Sequence, residues 1–275
     1  GVMNARTGAT RSGRVSRAID SLVRHPEEIR PATLEAACLT LGAGTRCSAR
    51  GEAGLAFEAE ERLEGITAAD CWAQRTGEPP GTDRIYHTAI VRLQARHANY
   101  RYPVVLGALG EALRQAGLAT AVVGNADRAG FPHREAACIA MDASGRVPLG
   151  AVGSSLWVHD PLAPGGRRTN PDAVLRATEA VVRAGARLVV IETGDTARVD
   201  RERENILEAL RPRRRREAIE RADQIVTGLL ERFDPATTLL LFFPPAPSLD
   251  AASEGNLLVP VVLAGGQVKR GLVYS

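Results

Sequence analysis

The sequence predicts an α/β fold: a mostly parallel central sheet with helices on both faces. Two features point to it. Short aliphatic runs follow helical stretches that end in glycine, as with Gly117 before Leu118–Asn125 and Gly185 before Arg187–Glu192, which is how a parallel layer fed by crossover helices reads. The 275 residues, 44% hydrophobic and 24% charged, suit one domain with a substantial core. One α/β domain over 1–275 is therefore expected. It is read as incomplete at both ends, because the chain opens at Gly1 and stops at Gly271–Ser275 inside a strand-like run. Only 4% of residues are aromatic, so Ala, Val, Leu and Ile must build the core.

Residues 1–30, rich in Arg, Ser and Gly, read as a loop leading into a short helix near Val15–Arg24. Pro31–Leu41 is apolar enough for a buried helix or strand, closed by Gly42-Ala43-Gly44. The acidic stretch Glu52–Leu63 is expected to be helical. Glu78-Pro79-Pro80-Gly81 marks a turn, and Asp83 suits the N-cap of a helix to Ala98. Pro103 suits the first turn of the next helix, to Ala116, with Gly117 at its C-terminal cap. Leu118–Asn125 is then the first strand of the sheet and Ala136–Met141 the second, with Arg146–Leu149 folding back as a hairpin. Val158–Asn170 reads as a Pro- and Gly-rich loop. Asn170 and Pro171 open a helix to Ala184, and Arg187–Glu192 is a buried strand. Arg201–Leu210 and Arg213–Phe233 read as helices broken by Pro212, and Thr237–Phe243 and Leu257–Leu263 as the last strands.

Composition narrows the function classes. Of 35 Lys and Arg residues only Lys269 is lysine, as the codons of a high-GC genome favour; guanidinium forks also match phosphate oxygens. A net charge of +3 is too small to favour a nucleic-acid binder strongly. The run Arg213–Arg216 reads as a solvated helix face, with Glu217, Glu220 and Asp223 near enough to pair. Cys38, Cys47, Cys71 and Cys138 have no zinc-site spacing. Two disulfides or four buried thiols fit them, and the apolar surroundings of Cys38 and Cys138 favour thiols. No apolar run reaches the ~18 residues of a membrane span, so no membrane segment is expected within the chain.

In a parallel sheet, ligands sit beyond the carboxyl ends of the strands. Gly124-Asn125-Ala126-Asp127, Glu192-Thr193-Gly194-Asp195-Thr196 and Phe243-Pro244 stand at such ends. Several segments in order, Met3–Gly8, Leu39–Arg46, Gly117–Asp127, Ile139–Gly150, Glu192–Arg198 and Val259–Gly266 followed by Gly271–Ser275, resemble a divergent, membrane-associated branch of the alkaline-phosphatase superfamily. That superfamily includes sulfatases, phosphodiesterases and cofactor-independent phosphoglycerate mutases. The resemblance implies an alkaline-phosphatase-like sheet, metal-dependent chemistry on a small phosphate or sulfate ester, and a place on the extracytoplasmic face of a membrane. It also implies two divalent metals, zinc or manganese, that activate a Ser or Thr nucleophile. Carried onto this chain, Thr7 stands at the nucleophile's position. Asn4 and Arg6 would help hold the ester, Asn125 and Asp127 would line the crevice, and Asp195 would be a metal ligand.

The sequence departs from that pattern. The family's first Asp, on an N-terminal strand, has no counterpart here. Val199 stands where a His ligand is expected, with Asp200 one residue late. Pro244-Pro245-Ala246-Pro247 replaces the family's Asp-His pair. Simpler roles also fit: a local hydrogen bond for Thr7, an N-cap for Asp195, turn chemistry for Asn125 and Asp127. His25, His87, His97, His133 and His159 form no cluster by spacing. Gly42-Ala43-Gly44-Thr45-Arg46 is a weak phosphate-cradle candidate without the Lys-Ser/Thr ending of a P-loop, and no dinucleotide fingerprint is present. Two readings follow: a metal-dependent ester hydrolase or transferase with Thr7 and Asp195 at one site, or a catalytically inactive member of the same fold serving as a binding or regulatory ectodomain.

Overall fold

The structure, a computed structural model, describes residues 33–266 together with Val268 and Gly271. Thr7, Asn4, Arg6, the expected helix at Val15–Arg24 and most of the C-terminal run lie outside the described residues. The first described helix, α1 (Leu34–Ala43), starts where the Thr33 hydroxyl accepts from the Ala36 amide and ends at left-handed Gly44, as the Gly42–Gly44 signal requires. Strands β1 (Ala56–Glu58), β2 (Arg62–Leu63) and β3 (Ile66–Thr67) follow, then α2 (Ala68–Thr76), β4 (Ile85–His87), α3 (Ile90–His97) and α4 (Ala108–Gln115). The middle of the chain carries β5 (Ala119–Gly124), α5 (Ala137–Ala140), β6 (Arg146–Val147), β7 (Leu149–Ala151), β8 (Trp157–His159) and β9 (Arg167–Thr169). The remainder is α6 (Pro171–Arg183), β10 (Ala186–Glu192), α7 (Asp195–Arg201), α8 (Arg211–Arg232), β11 (Leu239–Phe242), α9 (Leu249–Ser253) and β12 (Val262–Gly265).

The fold is mixed α/β with one parallel sheet, ordered β10-β5-β7. It separates two cores. Val122 and Val190 face one side, with Cys38 and Leu39 of α1 and Ala137, Cys138 and Ala140 of α5. Ala121, Val123, Val189 and Ile191 face the other, against Val174, Leu175 and Val181 of α6 and Ile225 and Leu229 of α8. Strand alternation thus explains why the middles of both expected runs, Ala121–Val123 and Val189–Ile191, are apolar: successive residues meet the two helix layers on alternate sides. Asn170 caps α6, its side chain accepting from the Ala173 amide, with Pro171 in the first turn. Pro212 likewise opens α8 rather than breaking a helix.

Several expectations are corrected. The parallel sheet has three strands. Thr237–Phe243 does not extend it: Leu239–Phe242 pairs antiparallel with Val262–Gly265 in a separate ladder, whose Leu239, Leu241, Val262 and Leu263 are exposed. Ala136–Met141 is a short helix, not a strand. Its Ala and Cys residues lack β-branched bulk, and the run packs so closely on α1 that a Cβ on Gly42 would lie 2.0 Å from the Cys138 carbonyl oxygen. With that strand gone, Arg146–Leu149 forms no hairpin: Arg146–Val147 joins β4, and Leu149–Ala151 joins β5. Ile85–His87, expected inside a helix, is the middle strand of the antiparallel sheet β1-β4-β6, where the β-favouring Ile85 and Tyr86 are fully buried. Glu52–Leu63 is a 3-10 turn and short strands, α4 starts five residues beyond Pro103, Arg201–Leu210 resolves into the end of α7 and two 3-10 turns, and the ends of Val158–Asn170 pair as β8 and β9. All four cysteines are buried free thiols. No described helix is long and apolar enough to cross a membrane.

Candidate functional site

The chain leaves β5 toward α5, which packs on the first core, and leaves β7 toward α6, which packs on the second. The carboxyl ends of these neighbouring strands therefore diverge, the situation in which an α/β sheet opens a crevice. Here Asn125 bridges the gap. Its Nδ2 donates to the Val152 and Gly153 carbonyls at 2.8 and 3.0 Å, and its Oδ1 accepts from the Asp127 amide at 3.1 Å. Glycine permits the close packing of the strand tips. Gly124, at φ 107°, and Gly194, at φ 72°, would each place a Cβ 2.0 Å from a carbonyl oxygen, those of Glu192 and Asn125.

The structure brings Asn125, Asp127 and Asp195 together around a residue to which the sequence assigned no role, Arg198. This arginine is fully buried and uses all five N–H donors. Nε donates to the Asp127 carbonyl at 2.9 Å; Nη1 donates to Asp195 Oδ1 at 2.6 Å and Thr169 Oγ1 at 3.1 Å; Nη2 donates to Asn125 O and Oδ1 at 2.9 and 3.0 Å. The i,i+3 spacing of Asp195 and Arg198 on α7 was the available signal, but the same spacing occurs on any solvated helix face.

Neither candidate carboxylate is free. Asp195 Oδ1 also accepts from the Thr169 amide at 3.0 Å, while the Thr169 hydroxyl donates to the Thr193 carbonyl at 2.6 Å, and Asp195 Oδ2 accepts from Arg221 Nε. Asp127 is gripped by Arg134, whose Nη2 lies 2.9 Å from Oδ2, and Oδ1 accepts from the His133 amide at 2.8 Å. Arg134 also pairs with Glu61 and lies over the Phe57 ring, 5.1 Å from its centroid. Asp200, the late alternative to the missing His, pairs with Arg215, and Val199 is buried. A zinc or manganese ion at Asp195 would need oxygen lone pairs already held by two guanidinium groups, and those cations would repel it. The donor set does not fit the metal. Among the described residues no group of three or more His, Cys, Asp or Glu side chains is placed to hold one. The Gly42–Arg46 candidate is equally unsuited to phosphate: it lies at the C-terminus of α1, where carbonyls and the negative end of the helix dipole point outward.

A second set of ionisable groups lies on the first-core side of the strand tips. Glu192, two residues beyond inward-facing Val190, neighbours Glu135. Glu135 Oε1 accepts from Arg201 Nη2 at 2.7 Å and from His133 Nδ1 at 3.2 Å, the latter in the tautomer this contact requires. Burial alone would raise Glu135; the His133 hydrogen bond and the Arg201 charge together outweigh it and hold its carboxyl below the usual range. At Glu192, burial followed by the Glu135 charge outweighs the opposing Arg201 and Arg198 charges and pushes its carboxyl up to about 8. Farther into this core, His87 Nε2 donates to the Ala53 carbonyl at 3.1 Å and lies 3.6 Å from Cys138 Sγ. Burial pushes His87 down to about 4 and both Cys38 and Cys138 upward, so this is a neutral pair and not an activated thiolate. Two hollows of about 220 and 250 Å³, one beside His97 and Leu106 and one beside Leu118–Thr120 at the amino end of β5, lie away from the carboxyl edge.

Comparison with known proteins gives no match: no family model, no curated protein and no solved structure is similar to this chain.

Proposed function

We propose that the chain is a binding or regulatory domain on an alkaline-phosphatase-like frame that does not carry out the two-metal ester chemistry of that superfamily. The ordered family-like segments support the kinship. The engagement of Asp195 by Arg198, Arg221 and Thr169 is the observation that carries the loss of metal chemistry. The prolines at 244, 245 and 247 point the same way, because β11 stands outside the parallel sheet and its end offers no ligand side chain. In this reading a small phosphate or sulfate ester is a ligand of the domain rather than a substrate, and the domain serves at the extracytoplasmic face of a membrane.

The test is turnover of nitrophenyl phosphate and nitrophenyl sulfate by the 275-residue chain supplied with zinc or manganese, beside Thr7→Ala. The proposal expects no turnover above the uncatalysed rate in either protein. Metal-dependent turnover that Thr7→Ala abolishes would restore the hydrolase reading.

A further inference from the structure

We propose that the β11–β12 ladder is an interface between two copies of this chain: its outward face, built on Leu239, Leu241 and Leu263, packs against the same face of a second copy about a two-fold axis. The inference goes beyond the functional reading above and holds for a binding domain and a hydrolase alike.

The register defines the face. Leu241 stands opposite Leu263 and Leu239 opposite Gly265, so strand alternation puts Leu239, Leu241 and Leu263 on one side of the ladder. Leu240 lies on the other side, and it is the residue that reaches the second core. The three outward leucines, with Val261 immediately before β12, are 45–61% exposed. Together they leave roughly 350 Å² of apolar surface in one place, the size of patch that marks an interaction site. Leu257 and Leu258, exposed just upstream of β12, extend it toward the ~800 Å² that each partner gives to a standard interface.

Charge selects the occupant. A ladder of two strands is marginal by itself, and the edge strands of monomers are guarded by charged side chains. That guard is missing here: residues 235–249 and 255–268 contain no Asp, Glu, Lys or Arg, in a chain that is 24% charged. Pro244, Pro245, Pro247 and Pro260 lie beyond the strand ends and leave β11 and β12 themselves open. In a two-fold contact a patch meets its own copy, so any charge on it faces like charge. A face without charge escapes that repulsion, and the second copy supplies the apolar surface that the first lacks.

The experiment is sedimentation equilibrium of the 275-residue chain at up to about 100 µM, above the micromolar limit at which standard interfaces associate, beside Leu241→Lys and Leu162→Lys. Wild type should be a dimer. Leu241→Lys should weaken it at least about a hundredfold, because the two-fold axis sets each new ammonium against the other. Its circular-dichroism spectrum should not change, since the replaced side chain is half exposed. Leu162→Lys, at an exposed leucine in the turn after β8, should dimerise as wild type does. A monomeric wild type, the result if another part of the same chain or a different protein covers the face, would overturn the proposal. So would association beyond two copies, or a dimer that Leu241→Lys leaves intact or Leu162→Lys also breaks. Should Leu241→Lys fail to fold, Leu241→Cys decides the matter. The four native thiols are buried, so a short bismaleimide should join two copies through position 241, and a chain that stays unlinked refutes the interface.

Discussion

Replacing Arg198 with methionine tests whether the carboxyl edge is an internally satisfied network. The substitution keeps an unbranched side chain in the helix but removes five donors. Asp195 loses one of its two guanidinium partners, and the carbonyls of Asn125 and Asp127 lose the donor that Arg198 supplies. Removing one member of a buried ion pair costs about 3–5 kcal/mol, because the partner's charge stays buried. Arg221 and Thr169 still hold Asp195, so the lower half of that range is expected, a large share of the ~5–15 kcal/mol that stabilises an ordinary domain. Urea denaturation followed by circular dichroism should show a lower midpoint at unchanged slope. Arg198→Met/Asp195→Asn should cost less than the sum of the single changes, since the second change removes the stranded charge. A loss below about 1 kcal/mol, the scale of an exposed pair, would refute the buried network.

Three further outcomes follow. Gly124→Ala should destabilise the fold by at least about 1–3 kcal/mol through its positive φ alone, with more from the 2.0 Å approach to the Glu192 carbonyl, read as a lower melting temperature; an unchanged melting temperature contradicts the strand-tip packing. Cys38 and Cys138 should resist a thiol reagent in the native chain and react once urea unfolds it, since both are buried and their thiols neutral; native-state labelling of either would contradict the first core as described. His87 is held neutral down to about 4, so it contributes stability that is present above 6.5 and lost as pH falls through about 4. In His87→Gln the acid limb of the stability profile should flatten, and an unaltered limb removes histidine from the account.

The parts of the fold legible in the sequence are those where local and tertiary signals agree. Gly117 and Gly185 close helices immediately before aliphatic runs that meet one helix layer on each face, so β5 and β10 could be placed almost to the residue. Asn170-Pro171 fixed the start of α6 by capping chemistry alone. Ala136–Met141 reads as a strand because a short apolar run has no period by which a buried helix differs from a buried strand; its close packing on Gly42 of α1 decides the matter. Ile85–His87 was hidden by Asp83, a good N-cap in a position where no helix begins. At the site, Asn125, Asp127 and Asp195 were legible as polar residues at strand ends, but their partners were not. Arg198, Arg221 and Arg134 are three among many arginines, and which of them is buried depends on how α7, α8 and the turn before α5 meet the sheet. The pairing of Arg201 with Glu35 and Glu135 was equally hidden, because these three residues come together only when α1 and α7 meet at the turn before α5.

The claim on which the functional reading rests is that Asp195 is the anchor of an arginine network and not a metal ligand. Calorimetric titration of zinc and of manganese into the chain and into Asp195→Asn measures this directly. The account predicts that the substitution leaves the metal isotherms unchanged and lowers the stability of the fold. A saturable, stoichiometric metal site present in the wild-type chain and lost in Asp195→Asn would contradict it.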